Sequence, residues 1–475
     1  MLFNSPQFLL LLLLTVPLYW LVRDQRARIL LILVSSCIFY MSWSVQLYFL
    51  LVGMSCLHWL AGRLLWNRSS KLVLTIAVTI SLMVLGYFKY THFFLNTFNA
   101  LSNHLHGSVF QTEFEIILPL GISFYIFQLI SYSVDCYRKD CEFEQSFVTH
   151  LAFVSFFPQL IAGPICRAKE LLPQLKEIRE FDRNQFLHGC VLLCNGLFLK
   201  VAIADNLSPF VNQVYGNVDL ASLTEIVLAV ISFGIVILCD FWGYSTMALG
   251  AAALFGIALP QNFNLPYSAT SIQDFWRRWH ITLSLWLRDY LYIPLGGSRK
   301  GENRTLINLL IVMLLGGLWH GAAWAFVIWG GIHGGWLAGE RLFFRHVKPR
   351  ISLFNLQSKI ALFCYRLAGW LITMTIVFLA WIPFRITDFA TISKVFSRLF
   401  YLVPAEGISQ QPHYGVVITL ILFLVLHVPI HQLNNQELQF RFQCNVARIS
   451  YCFWSLIFAF ILGAADVETF IYFQF

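Results

Sequence analysis

Residues 305 to 339 contain no Asp, Glu, Lys or Arg. An uncharged run of that length fits a hydrocarbon slab, but it is too long for one upright helical crossing of about 20 residues and barely long enough for two. A kinked, re-entrant or tightly turned helix pair is therefore expected, because irregular backbone at membrane depth survives only where protein or a wet cavity surrounds it. Gly317 with Gly321, Gly330 with Gly334, and Gly331 with Gly335 and Gly339 recur at a spacing of four. That spacing lets two helices approach closely. Inside the run, Gly316-Gly317-Leu318-Trp319-His320-Gly321-Ala322-Ala323-Trp324 holds an ionisable side chain, His320. Such a group is costly at membrane depth and is kept for a function or a specific partner. Two readings stand for His320, a functional group and a hydrogen-bonded packing residue; His333 reads as structural.

The rest of the chain agrees with a bilayer. Of its residues 58% are hydrophobic and 12% charged, against about 25% charged in soluble domains, and the mean hydropathy is +0.69. The formal net charge of +8 does not point to nucleic acid, because the basic residues fall in short clusters between apolar runs, where positive-inside bias and anionic headgroups account for them. The eleven cysteines show no metal-finger or redox spacing and read as reduced thiols. No metal site is expected.

Charge clusters set the expected topology. The apolar run 8 to 22 has no basic residue before it and reads as a first membrane helix rather than a cleavable signal. Arg23, Arg26 and Arg28, then Arg63, Arg68 and Lys71, bracket a helical hairpin with both ends cytoplasmic. Residues 72 to 87 cross outward, 91 to 115 lack Lys and Arg and read as an external loop, and 116 to 134 return to Arg138 and Lys139. A mixed-charge stretch with Pro173 (169 to 183) reads as a cytoplasmic surface helix. Residues 189 to 204 exit, 205 to 220 form an outer loop, and 226 to 241 re-enter. Residues 243 to 304 are expected to face or dip in from the cytoplasm, and Arg341, Arg345, Lys348 and Arg350 mark a further inner loop. Spans near 362 to 383, 416 to 428 and 449 to 464 complete an all-α, polytopic membrane protein of roughly 11 to 13 crossing or re-entrant helices, at about 20 residues each.

A second constellation lies between Trp276 and Arg288, where Arg277, Arg278, Arg288, Trp276, Trp279, Trp286 and His280 crowd together. Guanidinium ion pairs and aromatic faces suit a phosphorylated, aromatic-capped ligand. The same residues suit an interfacial belt in which Arg snorkels and Trp sits at headgroup level. Composition leaves both readings open.

Ordered blocks then carry a resemblance. Asp240-Phe241-Trp242-Gly243-Tyr244-Ser245, Leu259-Pro260-Gln261-Asn262-Phe263-Asn264-Leu265-Pro266-Tyr267, Phe275-Trp276-Arg277-Arg278-Trp279-His280 through Pro294-Leu295-Gly296-Gly297, and Gly317-Leu318-Trp319-His320-Gly321-Ala322 together resemble the membrane-bound O-acyltransferase (MBOAT) family, most of all its alginate O-acetylation branch. Weaker echoes include Pro119-Leu120-Gly121-Ile122-Ser123-Phe124-Tyr125 and the terminal Phe470-Ile471-Tyr472-Phe473-Gln474-Phe475. Thr246 stands where that branch is expected to carry Asp. The resemblance implies one membrane domain over 1–475 (N-terminal helices 1–115, a core with the motifs 116–346, C-terminal helices 347–475) around a through-membrane catalytic tunnel. It implies an O-acetyltransferase of the bacterial cytoplasmic membrane, with acetyl-CoA as donor substrate and no bound cofactor. The implied acceptor is a hydroxyl of an exopolysaccharide or cell-wall glycan, reached directly or through a periplasmic or extracellular SGNH-type partner transferase. It maps the catalytic histidine onto His320 and the second polar active-site residue onto His280.

The chemistry also follows from the side chains. A hydroxyl attacking a thioester must lose its proton, and a neutral imidazole is the group best poised to take it near neutral pH. A second polar group must stabilise the tetrahedral oxyanion or orient the base, and His280 could do either. Arg277, Arg278 and Arg288, with Trp276 and Trp279, are candidates for donor binding; Arg299, Lys300 and Arg304 are weaker ones. A transporter or a non-catalytic scaffold of a polysaccharide complex is the competing class. Matched broken-helix repeats, common in transporters, are not evident.

Overall fold

The computed structural model describes residues 1–105, 116–161, 163–347, 359–401, 413–435 and 445–463. The terminal aromatic motif, Lys348, Arg350 and the 106–115 end of the expected external loop lie outside the described residues. What is described is helical with no strand. Seven helices are long and apolar enough to cross a membrane, among them Val45–Asn67, Leu223–Leu254 and Lys359–Arg385, and Pro6–Leu21 is a shorter apolar helix. The protein is a polytopic membrane protein.

The chain divides into two compact units, Met1–Leu193 with Met247–Pro260, and Cys194–Thr246 with Gln261–Phe475. In the first, Gln25–Met41 and Val45–Asn67 form the expected hairpin. Ser5, Asp24, Ser44 and Ser70 each cap the helix that follows by accepting a backbone N–H, which satisfies amide donors that a helix start leaves open. The first unit is tied across its helices by the Tyr40 hydroxyl donating to the Leu120 carbonyl at 3.0 Å and by Trp20 Nε1 donating to the Leu254 carbonyl at 2.9 Å.

Two expected loops are helical instead. Residues 91 to 104 continue the Lys71–Leu85 helix through one π-helical turn, and Asp205–Gly216 is a helix after a similar π turn at Leu199–Ala204. Lack of Lys and Arg reports which side a segment lies on, not its backbone, and 86 to 104 holds no proline to stop a helix already started.

The second unit holds the uncharged run, which folds as a tight helical hairpin. Glu302–His320 and Trp324–Leu342 are separated only by residues 321 to 323. A Cβ on Gly317 would collide with the Phe326 carbonyl, and one on Gly330 with the Met313 carbonyl, so these two glycines set the close approach of the helices. Gly335 and Gly339 meet nothing within 4 Å and have no part in it. The far ends of the hairpin meet through Glu302, which pairs with Arg345 at 3.3 Å and His346 at 3.1 Å. The run therefore goes out and returns, and His320 sits at its tip, about 27 Å of helical rise from Glu302.

Candidate active site

His320 is the last residue of its helix, followed by an extended Gly321. A helix C-terminus presents carbonyl oxygens that have no intrahelical partner. The imidazole is 2% exposed. Around it stand Trp319 (ring centroids 5.1 Å apart), Trp329 (5.0 Å) and Phe384 (5.3 Å), with His280 at 6.4 Å. The two histidines, 40 positions apart in sequence, belong to one site.

His280 is fully buried and has φ +40°, in the left-handed region. For a residue with a side chain that conformation costs about 1–3 kcal/mol and persists only where the surroundings over-determine it. Asn262 does so. Its carbonyl accepts the Ile281 N–H at 2.9 Å, its Oδ1 accepts the Thr282 hydroxyl at 2.6 Å, and its Nδ2 donates to Ser245 Oγ at 3.1 Å. Phe241 stands edge-on to the His280 ring at 4.7 Å. The blocks around Asp240, Asn262 and His280 are therefore one structural device that holds an imidazole in a strained backbone.

A cavity of about 610 Å³ opens along the shaft of the hairpin, lined by Trp276, Arg288, Val312, Met313, Glu340, Arg341 and Arg345 among others. Met313 precedes His320 by seven residues, about 10 Å of helical rise. Of the expected donor residues, Trp276 and Arg288 line this cavity and Arg277, Arg278 and Trp279 do not. Arg277 is exposed. Arg278 Nε pairs with Asp274 at 2.9 Å, and its Nη1 donates to the Asn264 carbonyl at 3.3 Å. Trp279 is fully buried in a ring stack with Phe275 at 5.6 Å and with Trp381 tilted at 5.0 Å. Arg288 Nε pairs with its neighbour Asp289 at 2.6 Å.

The His320 ring does not line the cavity, and Trp276 and Trp329, 5.7 Å apart and at right angles within 20°, fill the interval. Aromatic side chains bury large areas when packed edge to face, and these two rings stand between the cavity and the imidazole.

Sequence reasoning missed two groups. Lys200 Nζ lies 2.7 Å from Asp205 and 2.8 Å from Asp240, all three nearly inaccessible. The lysine inside the apolar run 189 to 204 was the available signal. Removing one partner of such a buried cluster strands a charge, at about 3–5 kcal/mol. Arg341 is the second: in the sequence it marks only an inner loop, yet its Nε is buried in the cavity wall and makes no hydrogen bond among the described residues.

Comparisons with known proteins give the family. The model of the membrane-bound O-acyltransferase family, MBOAT, matches residues 143–382, which include both histidines and the cavity. The probable alginate O-acetylase AlgI of Azotobacter vinelandii is 38% identical over 406 residues, covering 84% of this chain and 78% of that protein. A peptidoglycan O-acetyltransferase of Helicobacter pylori is 35% identical over 448 residues, covering 86% and 81%. A teichoic acid D-alanyltransferase of Streptococcus thermophilus is 27% identical over 259 residues, covering 52% and 62%. The buried histidine pair, the close-packed hairpin and these likenesses have one common reading: the chain is a membrane enzyme, an O-acyltransferase, and belongs to the membrane-bound O-acyltransferase family.

Proposed function

We propose that this protein transfers acetyl from cytoplasmic acetyl-CoA to a hydroxyl of an exported polysaccharide, directly or through an SGNH-type partner transferase outside a bacterial cytoplasmic membrane. The observation that carries the reading is the His320–His280 pair at a hairpin tip, with an arginine-lined cavity beside the same helix about 10 Å of rise below it. His320 takes the acceptor's hydroxyl proton as the oxygen attacks the thioester carbonyl. His280 donates a hydrogen bond to the oxyanion, or orients the base. Collapse of the tetrahedral adduct breaks the carbon–sulfur bond, and the proton held by His320 leaves with the thiolate as free CoA. The products are an acetyl ester and a thiol, so no oxidant and no bound cofactor enters the balance.

In the same reading, Arg288, Arg341 and Arg345 take the donor's phosphates, since guanidinium groups bind phosphate oxygens in charge-assisted pairs. Trp276 flanks the arm that leads inward. Arg277 and Arg278 guide the donor from the periphery, and Trp279 holds the aromatic layer behind the site. Relatives named for alginate and for peptidoglycan support a glycan hydroxyl as the acceptor and leave the particular glycan open. The test is purified protein in vesicles given labelled acetyl-CoA and candidate glycans, with and without co-expressed partners. Free CoA together with a stable labelled ester is expected; label that crosses the membrane without forming an ester would overturn the reading in favour of transport.

A further inference from the structure

Next to the cavity lies a cluster of polar atoms that the acyl-transfer step does not use. His333 is fully buried, and neither ring nitrogen makes a hydrogen bond among the described residues. The buried indole N–H groups of Trp276 and Trp329 are likewise unbonded among the described residues. The three rings touch: His333 lies 5.3 Å from Trp276 and 4.8 Å from Trp329 by ring centroids. Phe275 stacks on the same imidazole at 6.1 Å. A buried donor or acceptor left unmade costs about 1–3 kcal/mol, and such atoms in a native fold call for an explanation.

The position of the cluster supplies one. Trp276 lines the arginine-bearing cavity, and Trp329 packs against His320. The three side chains thus form a short path from the cavity wall to the catalytic ring. Their chemistry is specific. An indole can only donate, whereas a neutral imidazole offers one donor and one acceptor. A partner that answers both presents an acceptor and a donor together, and in the arm of a thioester donor a secondary amide does so with its carbonyl oxygen and its N–H. Acetyl-CoA carries two secondary amides between its phosphates and its thioester.

We infer that Trp276, His333 and Trp329 bind a secondary amide in the arm of the thioester donor, with His333 as the positioning residue that sets how far the thioester advances toward His320. The inference rests on the acetyl-CoA reading above. In it, an indole N–H donates to the amide carbonyl and the unprotonated nitrogen of His333 accepts the amide N–H. His333→Phe keeps a ring of similar shape and removes both polar atoms. His333→Gln keeps a donor and an acceptor.

The experiment measures binding of CoA and of adenosine 3′,5′-bisphosphate, which lacks the amide arm, to the full-length protein in detergent. His333→Phe is expected to weaken CoA about tenfold, the loss of one well-made hydrogen bond network, and to leave the bisphosphate unchanged. His333→Gln is expected to recover most of the CoA affinity. Arg341→Ala is expected to weaken both ligands. With acetyl-CoA as substrate, the His333→Phe loss is expected in both KM and kcat, since the arm is held less tightly and the thioester is no longer set against His320. If His333→Phe weakens both ligands alike, or neither, the amide station is wrong while the donor reading stands. If the wild type binds neither ligand, the donor reading itself is lost.

Discussion

Two buried imidazole sites in this molecule have opposite surroundings. His58, in the unit formed by Met1–Leu193 and Met247–Pro260, has Nδ1 2.7 Å from the Ser133 hydroxyl and Nε2 2.6 Å from the Ser81 hydroxyl. Ser81 in turn donates to the Ala77 carbonyl at 2.9 Å. Both nitrogens serve the fold, so no lone pair is left for a substrate. Three histidines of the other unit, His280, His320 and His333, are just as buried, but they lie among Trp319, Trp329, Phe241, Phe275 and Phe384. Burial is therefore common to both sites. They differ in what lines the rings: hydroxyls of the fold's own helices at His58, aromatic faces at the other three.

The largest effect expected from that difference is at His320. Replacing it with alanine should lower acetyl transfer by about 10²–10⁴-fold, the usual contribution of a positioned general base, with abundance and membrane insertion near normal. Labelled ester formed in vesicles measures it, and transfer that persists near the wild-type rate would place the base elsewhere. His280→Ala comes next, at about 10²–10³-fold in kcat if the ring is an oxyanion donor. Because His280 also occupies a left-handed backbone position held by Asn262, the same variant should be compared with wild type by thermal unfolding. A loss of fold as large as the loss of rate would move His280 into the company of His58.

The third effect concerns the cavity. Arg341→Ala should raise KM for acetyl-CoA about tenfold and leave kcat nearly intact, since a charge-assisted bond to phosphate made equally in ground and transition states contributes uniform binding. Arg278→Ala should do less, because that guanidinium already has Asp274. A donor-concentration series ranks the two. The reverse order would move the phosphates away from the hairpin cavity and toward the periphery.

How much of this was legible in the chain depends on the kind of signal. The uncharged run 305–339 calls for a kinked, re-entrant or tightly turned pair of helices, and of its spaced glycines the structure puts those at 317 and 330 in the contact and leaves 335 and 339 out of it. The ends of the run supply what the pattern lacked: Glu302 beside Arg345 and His346 is a long-range pairing that hydropathy does not encode. The His320–His280 association rested on the family resemblance, and the side-chain packing gives it a distance. Arg277, Arg278 and Arg288 looked equivalent in sequence. They differ because the short helices Ile272–Arg278 and Ile281–Leu287, broken at a left-handed His280, turn successive side chains toward different neighbours. His333 read as structural because a lone histidine on an apolar helix carries no sequence mark of whether its nitrogens are satisfied.

The smallest effect on turnover is expected at His58, and it is the most direct check on the contrast drawn above. His58→Phe removes both ring nitrogens, so Ser133 loses a partner while Ser81 keeps its bond to Ala77. A buried hydroxyl left unpaired costs about 1–3 kcal/mol, and that loss should appear as lower thermal stability in detergent. Turnover per folded molecule should stay within about twofold of wild type, because no bond made only in the transition state has been removed. A fall in kcat comparable to that of His280→Ala would mean that satisfied nitrogens do not mark a histidine as structural in this fold, and His333 would lose the contrast that sets it apart.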